Sequence, residues 1–164
     1  MLKVIRNINQ LPFGEVMQVY LQSNLQKAKL DHFGRADGLL QAEMDFYAYL
    51  RDGFFRTDGA YYCLWEDNRQ VVSALRMEPY EDGLLLTGLE THPDCRGKGY
   101  ACALMAAALE QAQCPVYSHI DRHNFASIAV HKKCGFEKVT NFAVFLDGSV
   151  SRNADTYARK FSNN

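Results

Sequence analysis

Runs of apolar residues divide the chain into short strands and longer helices. Three runs rich in β-branched, aromatic and leucine residues, at 60–65, 70–77 and 84–89, predict strands, and only short polar turns separate them. Strands joined by such turns usually pair with their neighbours in sequence. We therefore expect an antiparallel meander of three strands.

Helical spacing of apolar residues precedes and follows this meander. It predicts one long helix from Leu11 to Asp31 and a second from Leu39 to Arg51. The apolar stripe of the second helix consists of Leu40, Met44, Tyr47 and Leu50. Two further helices are predicted, one at 100–113 and a short one at 126–134 that Gly135 ends.

Four more strands complete the pattern, at 2–8, 115–120, 136–146 and 156–161. The order β-α-α-β-β-β-α-β-α-β-β predicts an α/β fold with a mixed sheet, in a single domain over residues 1–164. A helix connects the strand at 84–89 to the strand at 115–120. Such a crossover connection makes these two strands parallel.

Composition narrows the class of protein. The chain has 164 residues, 48% of them hydrophobic, and a formal net charge of −1, so it has the profile of an ordinary globular protein and not of a general nucleic-acid binder. Its five cysteines show no C-x-x-C spacing, which favours reduced thiols in a cytoplasmic protein without a metal site. Neither a signal peptide nor a membrane-spanning run is expected.

A glycine-punctuated loop, Arg96-Gly97-Lys98-Gly99, stands between the strand at 84–89 and the helix at 100–113. The first backbone N–H groups of a helix are free and lie at the positive end of its dipole, so such a loop can bind phosphate. Glycines let the backbone approach a ligand closely. The alternative is a tight strand-to-helix connection, and the loop alone does not decide between the two.

Two sequence blocks resemble the GNAT superfamily of N-acyltransferases. The run from His92 to Ala101 resembles its acetyl-coenzyme A signature, Arg/Gln-x-x-Gly-x-Gly/Ala, in which Arg96, Gly99 and Ala101 take the defined positions. The run from Asn124 to Phe136 resembles a later block of the family, at the usual separation. The resemblance implies a largely antiparallel seven-stranded sheet, about four flanking helices, and a cleft where the fourth and fifth strands splay apart.

The resemblance also implies where acetyl-coenzyme A, the expected co-substrate, would bind. The loop and helix start would hold the pyrophosphate, the backbone of the fourth strand would hold the pantetheine arm, and the later block would lie within reach of that arm. The residues so assigned are Leu89, Thr91, Arg96, Gly97, Lys98, Gly99, Tyr100, Ala101, Asn124 and Ser127. Asn124 is also expected to cap the last helix.

His131 is the candidate general acid. It occupies the position where the family most often has a tyrosine, and imidazole can donate a proton near neutral pH. In that role it would protonate the departing thiolate of the coenzyme. The alternative is a helix histidine that only hydrogen-bonds the coenzyme.

Glu90 and His119 are the candidate general bases, and a water chain without an essential base is the third option. Strand alternation turns the Glu90 side chain away from the direction of Leu89 and Thr91, although a bulge at Gly88 would change that parity. His119 lies on the predicted strand at 115–120. Its alternative role is that of a hydrogen-bonded histidine lining the cleft.

The predicted function is an N-acetyltransferase that transfers an acetyl group from acetyl-coenzyme A to a primary amine of a small molecule or peptide, by direct attack. Acceptor specificity is expected from residues 30–60 and 140–160. The alternative is a non-catalytic module that binds acyl-coenzyme A. A nucleotide-binding protein is disfavoured because the chain lacks Gly-x4-Gly-Lys-Ser/Thr. The expected partner is the amine acceptor, with neither nucleic acid nor membrane, and a homodimer is one option for assembly.

Overall fold

A twisted seven-stranded sheet runs through the centre of the computed structural model, which describes residues 1–161. The strands are β1 (Leu2–Ile5), β2 (Tyr61–Asp67), β3 (Gln70–Tyr80), β4 (Gly83–Thr91), β5 (Val116–Asp121), β6 (Glu137–Thr140), β7 (Ala143–Val144), β8 (Val150–Ser151) and β9 (Ala154–Arg159). The sheet order is β1-β2-β3-β4-β5-β9-β6, and β7 pairs separately with β8. Within residues 1–161 only β4 and β5 pair in parallel.

Five helices flank this sheet. They are α1 (Phe13–Val19), α2 (Leu21–Asp31), α3 (Gly38–Asp52), α4 (Tyr100–Gln111) and α5 (Phe125–Lys133). The expected mixed, largely antiparallel α/β fold is confirmed, with five helices instead of about four. No helix in the described part of the chain is long and apolar enough to cross a bilayer.

The single helix predicted from Leu11 to Asp31 is wrong, because the chain breaks at Tyr20 into α1 and α2. Tyr20 leaves helical geometry with a ψ of 10°. Its hydroxyl donates to the carbonyl oxygen of Gly88 at 2.5 Å, and its ring packs edge-on against Phe46. These tertiary contacts redirect the chain, so α2 lies over the end of β4 in place of continuing α1.

The apolar stripe predicted for α3 is also wrong, except at Leu50. Leu40 and Met44 are more than half exposed and Tyr47 is exposed as well. The buried side of α3 consists of Gly38, Ala42 and Leu50. Small residues let α3 pack closely against the end of α2. A Cβ at Gly38 would lie 3.3 Å from the carbonyl oxygen of His32.

The predicted strand at 136–146 is divided. Pairing with β9 ends at Thr140, and residues 143–151 form the separate β7–β8 hairpin. The first predicted strand, 2–8, also ends early, at Ile5. A bend at 141–142 interrupts the ladder, and this break allows the hairpin to fold toward β5.

Two hydrophobic cores lie on opposite faces of the sheet. The face toward α4 and α5 is filled by residues such as Leu75, Met77 and Leu86, and the face toward α1–α3 by residues such as Tyr62 and Ala74. This alternation follows from the two-residue period of a strand. Each side chain of β3 and β4 therefore lies on one face of the sheet or the other. Its face decides to which site it can contribute.

A β-bulge at Gly88 changes this alternation in β4. Thr87 lies opposite Arg76 and Glu90 lies opposite Ala74, so three steps on β4 match two steps on β3. Gly88 has a φ of +60°, which favours glycine. The bulge turns Thr87 and Glu90 to the same face, toward α1–α3, while Leu89 packs on the α4 side.

The parallel pair β4–β5 is closed at one end and open at the other. Only Leu84 with Val116 and Leu85 with Tyr117 are in register. The closed end is tight, since a Cβ at Gly83 would lie 2.0 Å from the Pro115 carbonyl oxygen. Beyond it the strands separate, as expected for the cleft.

Candidate functional site

The loop before α4 presents a row of free backbone donors. Gly97 and Gly99 have φ values of +75° and +83°, and a Cβ at either would meet no atom within 4 Å. Within residues 1–161, the consecutive N–H groups from Gly97 to Cys102 donate to no acceptor, and the first helical bond of α4 runs from Ala103 to Gly99. Free N–H groups in left-handed turns at a helix start form an anion-binding concavity.

A cavity of about 610 Å³ lies beside this loop. Its walls come from β4, the loop, the first turn of α4, and α5. The predicted coenzyme residues that line it are Leu89, Thr91, Arg96, Gly97, Gly99, Tyr100, Ala101, Asn124 and Ser127. Lys98 does not line it and is exposed on the loop. Residues separated by as many as 107 positions along the chain, Ser23 and Val130, thus face one space.

Two residues that were predicted to bind the coenzyme, Arg96 and Tyr100, direct their side chains to other groups of the protein. Arg96 donates from Nε to the Thr91 carbonyl oxygen at 3.3 Å and from Nη1 to Gln22 Oε1 at 2.6 Å. The Tyr100 hydroxyl donates to Asp67 Oδ2 at 2.6 Å, and this bond raises the pKa of Tyr100. In this structure both residues therefore offer the cavity their backbone more than their side-chain ends.

A second cavity, of about 290 Å³, occupies the opening between β4 and β5. It contains the three candidate catalytic residues, Glu90, His119 and His131, in its lining. Leu89, Glu90, Asn124 and Ser127 line both cavities. The two spaces therefore adjoin along the end of β4 and the start of α5.

Asn124 caps α5, as predicted. Its Oδ1 accepts from the N–H of Ser127 at 3.1 Å, which is N-cap geometry. The cap fixes the start of α5, and one turn later Ser127 reaches His131. Ser127 Oγ lies 3.3 Å from His131 Nδ1. The segment Asn124–His131 thus joins the two cavities through a single helix face.

His131 is buried, at 2% exposure, and lines the cavity between β4 and β5. Its Nδ1 lies 2.8 Å from the Ser127 carbonyl oxygen, so this nitrogen carries the proton of the neutral ring. Its Nε2 is buried without a partner. Burial lowers the pKa of His131, so near neutral pH the free nitrogen has a lone pair and no proton. The role of general acid stays a prediction that this geometry does not favour.

The lowered pKa of His131 predicts a loss of stability at acid pH. The unfolded chain takes up this proton below about pH 6.5 whereas the folded chain does not, so the free energy of unfolding falls as pH drops below that value. The contribution of one histidine is at most about 1.4 kcal/mol per pH unit. We expect His131→Phe to flatten the profile by up to this slope, measured by urea unfolding between pH 7.5 and 5.5. His123→Gln, at an exposed loop position, is the control. An unchanged slope in His131→Phe would contradict the assignment.

His119 has both ring nitrogens engaged. Nε2 lies 2.9 Å from the Val144 carbonyl oxygen and Nδ1 lies 3.0 Å from Thr156 Oγ1. The carbonyl requires the proton on Nε2. Burial lowers the pKa of His119. The side chain thus joins β5 to the β7–β8 hairpin, which is the arrangement of the hydrogen-bonded histidine that was the alternative to a base.

Glu90 is the candidate base that both cavities leave accessible to a substrate. The bulge at Gly88 directs it toward α2, where Ser23 Oγ donates to its Oε1. Burial raises the pKa of Glu90, against the lowering effects of the Ser23 bond and the charges of Arg96 and Arg76. It is half-buried and lines both cavities.

Three site residues were not found from the sequence. Tyr20 and Ser23 lie at the break between α1 and α2, and Arg76 lies on β3 beside the bulge. The spacing of apolar residues continued through Tyr20, so it carried no signal of the break. Arg76 is an isolated charge inside an apolar strand, which was a signal for a buried polar role that the strand prediction did not use.

Comparisons with known proteins agree with this architecture. The model of the "Acetyltransferase (GNAT) family" matches residues 20–136. No curated protein sequence matches. Among solved structures, PaiA N-acetyltransferase from Thermoplasma acidophilum, in complex with coenzyme A, superposes with a TM-score of 0.68 at 10% identity, covering 98% of this chain and 99% of that one.

Two further structures have the same fold. The ribosomal-protein-S18-alanine N-acetyltransferase from Escherichia coli gives a TM-score of 0.64 at 15% identity, covering 100% of this chain and 96% of that one. An IAA acetyltransferase from Bacillus cereus gives 0.62 at 13% identity, with 98% of both chains covered. Because the family model spans well over half of the sequence, the chain belongs to the GNAT family of acetyltransferases.

Proposed function

We propose that the protein is an N-acetyltransferase in which a primary amine attacks acetyl-coenzyme A directly, with both substrates bound together. The observation that carries the proposal is the meeting of the two cavities at Glu90. One cavity offers phosphate-binding N–H groups and the other an opening between parallel strands. A carboxylate at their junction can accept a proton from an amine that enters from the α2 side.

The residues present fit the coenzyme. Its pyrophosphate matches the free N–H groups from Gly97 to Cys102, and the glycines leave open space above them. Its pantetheine arm is an amide chain, which can pair with the edge of β4 beyond Leu85, where β5 no longer does. Two similar structures hold coenzyme A or acetyl-coenzyme A, which supports this ligand.

The chemistry needs one proton acceptor. Glu90 takes a proton from the attacking amine, the amine nitrogen bonds to the acyl carbon, and the carbon–sulfur bond breaks. We assign stabilisation of the oxyanion to backbone N–H groups beside the Gly88 bulge. Neither histidine offers a proton, because His131 Nε2 is unprotonated and the Nε2 proton of His119 is donated to the Val144 carbonyl oxygen. The coenzyme therefore leaves as a thiolate that water in the cleft protonates.

Transfer to nitrogen is tested by release of the coenzyme thiol from acetyl-coenzyme A with a panel of amines, polyamines, amino acids and peptides. Two of the similar structures are named N-acetyltransferases, one of them for an alanine of a ribosomal protein, which supports a nitrogen acceptor. We expect thiol release and an N-acetyl product with at least one class. Tight coenzyme binding without turnover for every acceptor would instead support the non-catalytic acyl-coenzyme A-binding module.

A further inference from the structure

Three side chains form a row across three strands on the sheet face toward α1–α3. In the register of the sheet, Arg76 lies opposite Tyr62 of β2 on one side and opposite Thr87 of β4 on the other. Directly opposed residues on antiparallel strands bring their Cβ atoms to within about 5.5 Å. We refer to Tyr62, Arg76 and Thr87 as the polar row.

Each member of the polar row has a buried polar atom without a partner. These atoms are the Tyr62 hydroxyl, Arg76 Nε and Thr87 Oγ1, and they are three of only four such atoms among residues 1–161. The proton of the neighbouring Tyr20 hydroxyl is already donated to the Gly88 carbonyl. Buried polar groups are nearly always satisfied, so these atoms need partners. The Tyr20 oxygen can accept from the Tyr62 hydroxyl, whereas Arg76 Nε and Thr87 Oγ1 are left for water or a ligand.

The Arg76 guanidinium is a largely buried cation that makes no ion pair, and the charges of Glu78 and Glu90 act on it only from a greater distance. It lies 5.3 Å from the ring centroid of Phe46 and 5.4 Å from that of Tyr49. Within residues 1–161 no carboxylate comes within 4.0 Å of it and no acceptor hydrogen-bonds it. Its terminal nitrogens are not among the buried unpaired atoms, so they reach solvent.

Among residues 1–161, three of the other arginines make ion pairs. Arg35, Arg51 and Arg122 each pair with an aspartate at 2.5–2.8 Å. Glu78, two residues from Arg76 on the same strand face, is buried and makes no ion pair with it. A planar guanidinium presents a donor pair that matches a carboxylate. The unpaired Arg76 therefore has the chemistry of a carboxylate receptor.

The polar row lies next to the reacting groups. A Cβ added at Gly88 would come within 2.8 Å of Arg76 Nη2, so the guanidinium packs against the bulge itself. Glu90, on the same face of β4, lies two residues beyond that glycine. Thr87 lines the cavity between β4 and β5, so a carboxylate at Arg76 would lie beside that cavity.

We propose that Arg76, supported by Thr87 and Tyr62, forms a carboxylate-binding subsite of the acyl-transfer site; this inference rests on the proposed function. The carboxylate has two possible sources. It belongs either to the acceptor, as in an amine that also carries a carboxylate, or to the far end of a dicarboxylic acyl chain on the coenzyme. Both sources place a negative group against the same guanidinium.

Paired ligands test this subsite. In the first arm, acetyl-coenzyme A is combined with amino acids and with the matching decarboxylated amines. In the second, succinyl-coenzyme A is compared with butyryl-coenzyme A for one amine. In one arm we expect kcat/KM of the wild-type protein to favour the carboxylated ligand by about 10- to 100-fold, the range for a hydrogen bond to a charged group. Arg76→Met is expected to abolish that preference, measured as the ratio of kcat/KM for the carboxylated ligand to kcat/KM for its uncharged partner.

Two further variants make the result specific. Thr87→Val removes an unpaired hydroxyl at constant shape, so it is expected to fold normally and to reduce the carboxylate preference several-fold. Arg6→Met is the matched control, because Arg6 also packs on an aromatic ring, at 4.7 Å from the centroid of Tyr61, but lies at the far edge of the sheet. It is expected to leave the preference unchanged.

The outcomes separate this inference from the proposed function. No carboxylate preference in either arm, or a preference that survives in both Arg76→Met and Thr87→Val, overturns the subsite. Absence of thiol release with every acceptor overturns the proposed function instead. In that event thermal stabilisation of wild type and variants by the same paired ligands still decides on the subsite. An unfolded Arg76→Met protein, seen by circular dichroism, leaves the decision to Thr87→Val.

Discussion

Glu90→Gln is expected to lower kcat by about 100- to 1,000-fold and to leave the affinity for coenzyme A within about 2-fold, since general base catalysis typically contributes 100- to 10,000-fold. The glutamine keeps the size and hydrogen bonding of the side chain and removes only its ability to accept a proton. Thiol release and coenzyme titration measure the two quantities. Full activity of the variant at every pH would show that water removes the amine proton without an essential base.

The pH profile gives a second view of the same residue. Burial raises the pKa of Glu90, and only its carboxylate accepts a proton. The wild-type rate should therefore fall with decreasing pH, at a pH above the ordinary glutamate value of about 4.3. The hydrogen bond from Ser23 lowers this pKa, so Ser23→Ala should move the inflection to higher pH. Glu90→Gln should lose the inflection altogether.

Gly99→Val is expected to weaken coenzyme A binding by at least about 100-fold. Its backbone is left-handed, with φ at +83°, which a β-branched residue resists, and the added side chain would occupy the open space above the free N–H groups. Loss of two hydrogen bonds to a charged phosphate at about 1.5–3 kcal/mol each accounts for this magnitude. Isothermal titration with coenzyme A measures it.

Gly34→Val is the matched control for this substitution. Gly34 has a φ of +77° and open space around its Cβ position, yet it lies between α2 and α3, away from the loop before α4. Both variants should show a similar loss of thermal stability. Only Gly99→Val should lose the coenzyme, and equal affinity in the two variants would contradict the phosphate site.

Local signals predicted the loop before α4 and the cap of α5. The glycines at 97 and 99 and the cap at Asn124 depend on backbone geometry within a few residues, which sequence states directly. The acceptor side was not predictable in the same way. The break at Tyr20 depends on a hydrogen bond to Gly88, and the phase of α3 depends on packing by Gly38. Such contacts join distant residues and leave no periodic trace.

The same distinction between local signals and contacts of distant residues applies to the candidate catalytic residues. Strand parity alone could not orient Glu90, because a single extra residue at the bulge reverses the direction of every side chain beyond it. The roles of His119 and His131 depend on which carbonyl lies beside each ring, Val144 or Ser127. The carbonyl beside His119 belongs to a hairpin that was predicted as part of a longer strand.

The early end of the β4–β5 ladder has a consequence for how this enzyme can diversify. Beyond Leu85 the backbone edge of β4 is unpaired by β5, and we propose that it holds the coenzyme. The side chains of Thr87 and Glu90 turn to the α1–α3 face, where we propose that the acceptor binds. Backbone groups are the same in every residue, so substitutions along this strand can alter acceptor preference without altering the coenzyme contacts. One strand thus carries an invariant function in its main chain and an adaptable one in its side chains.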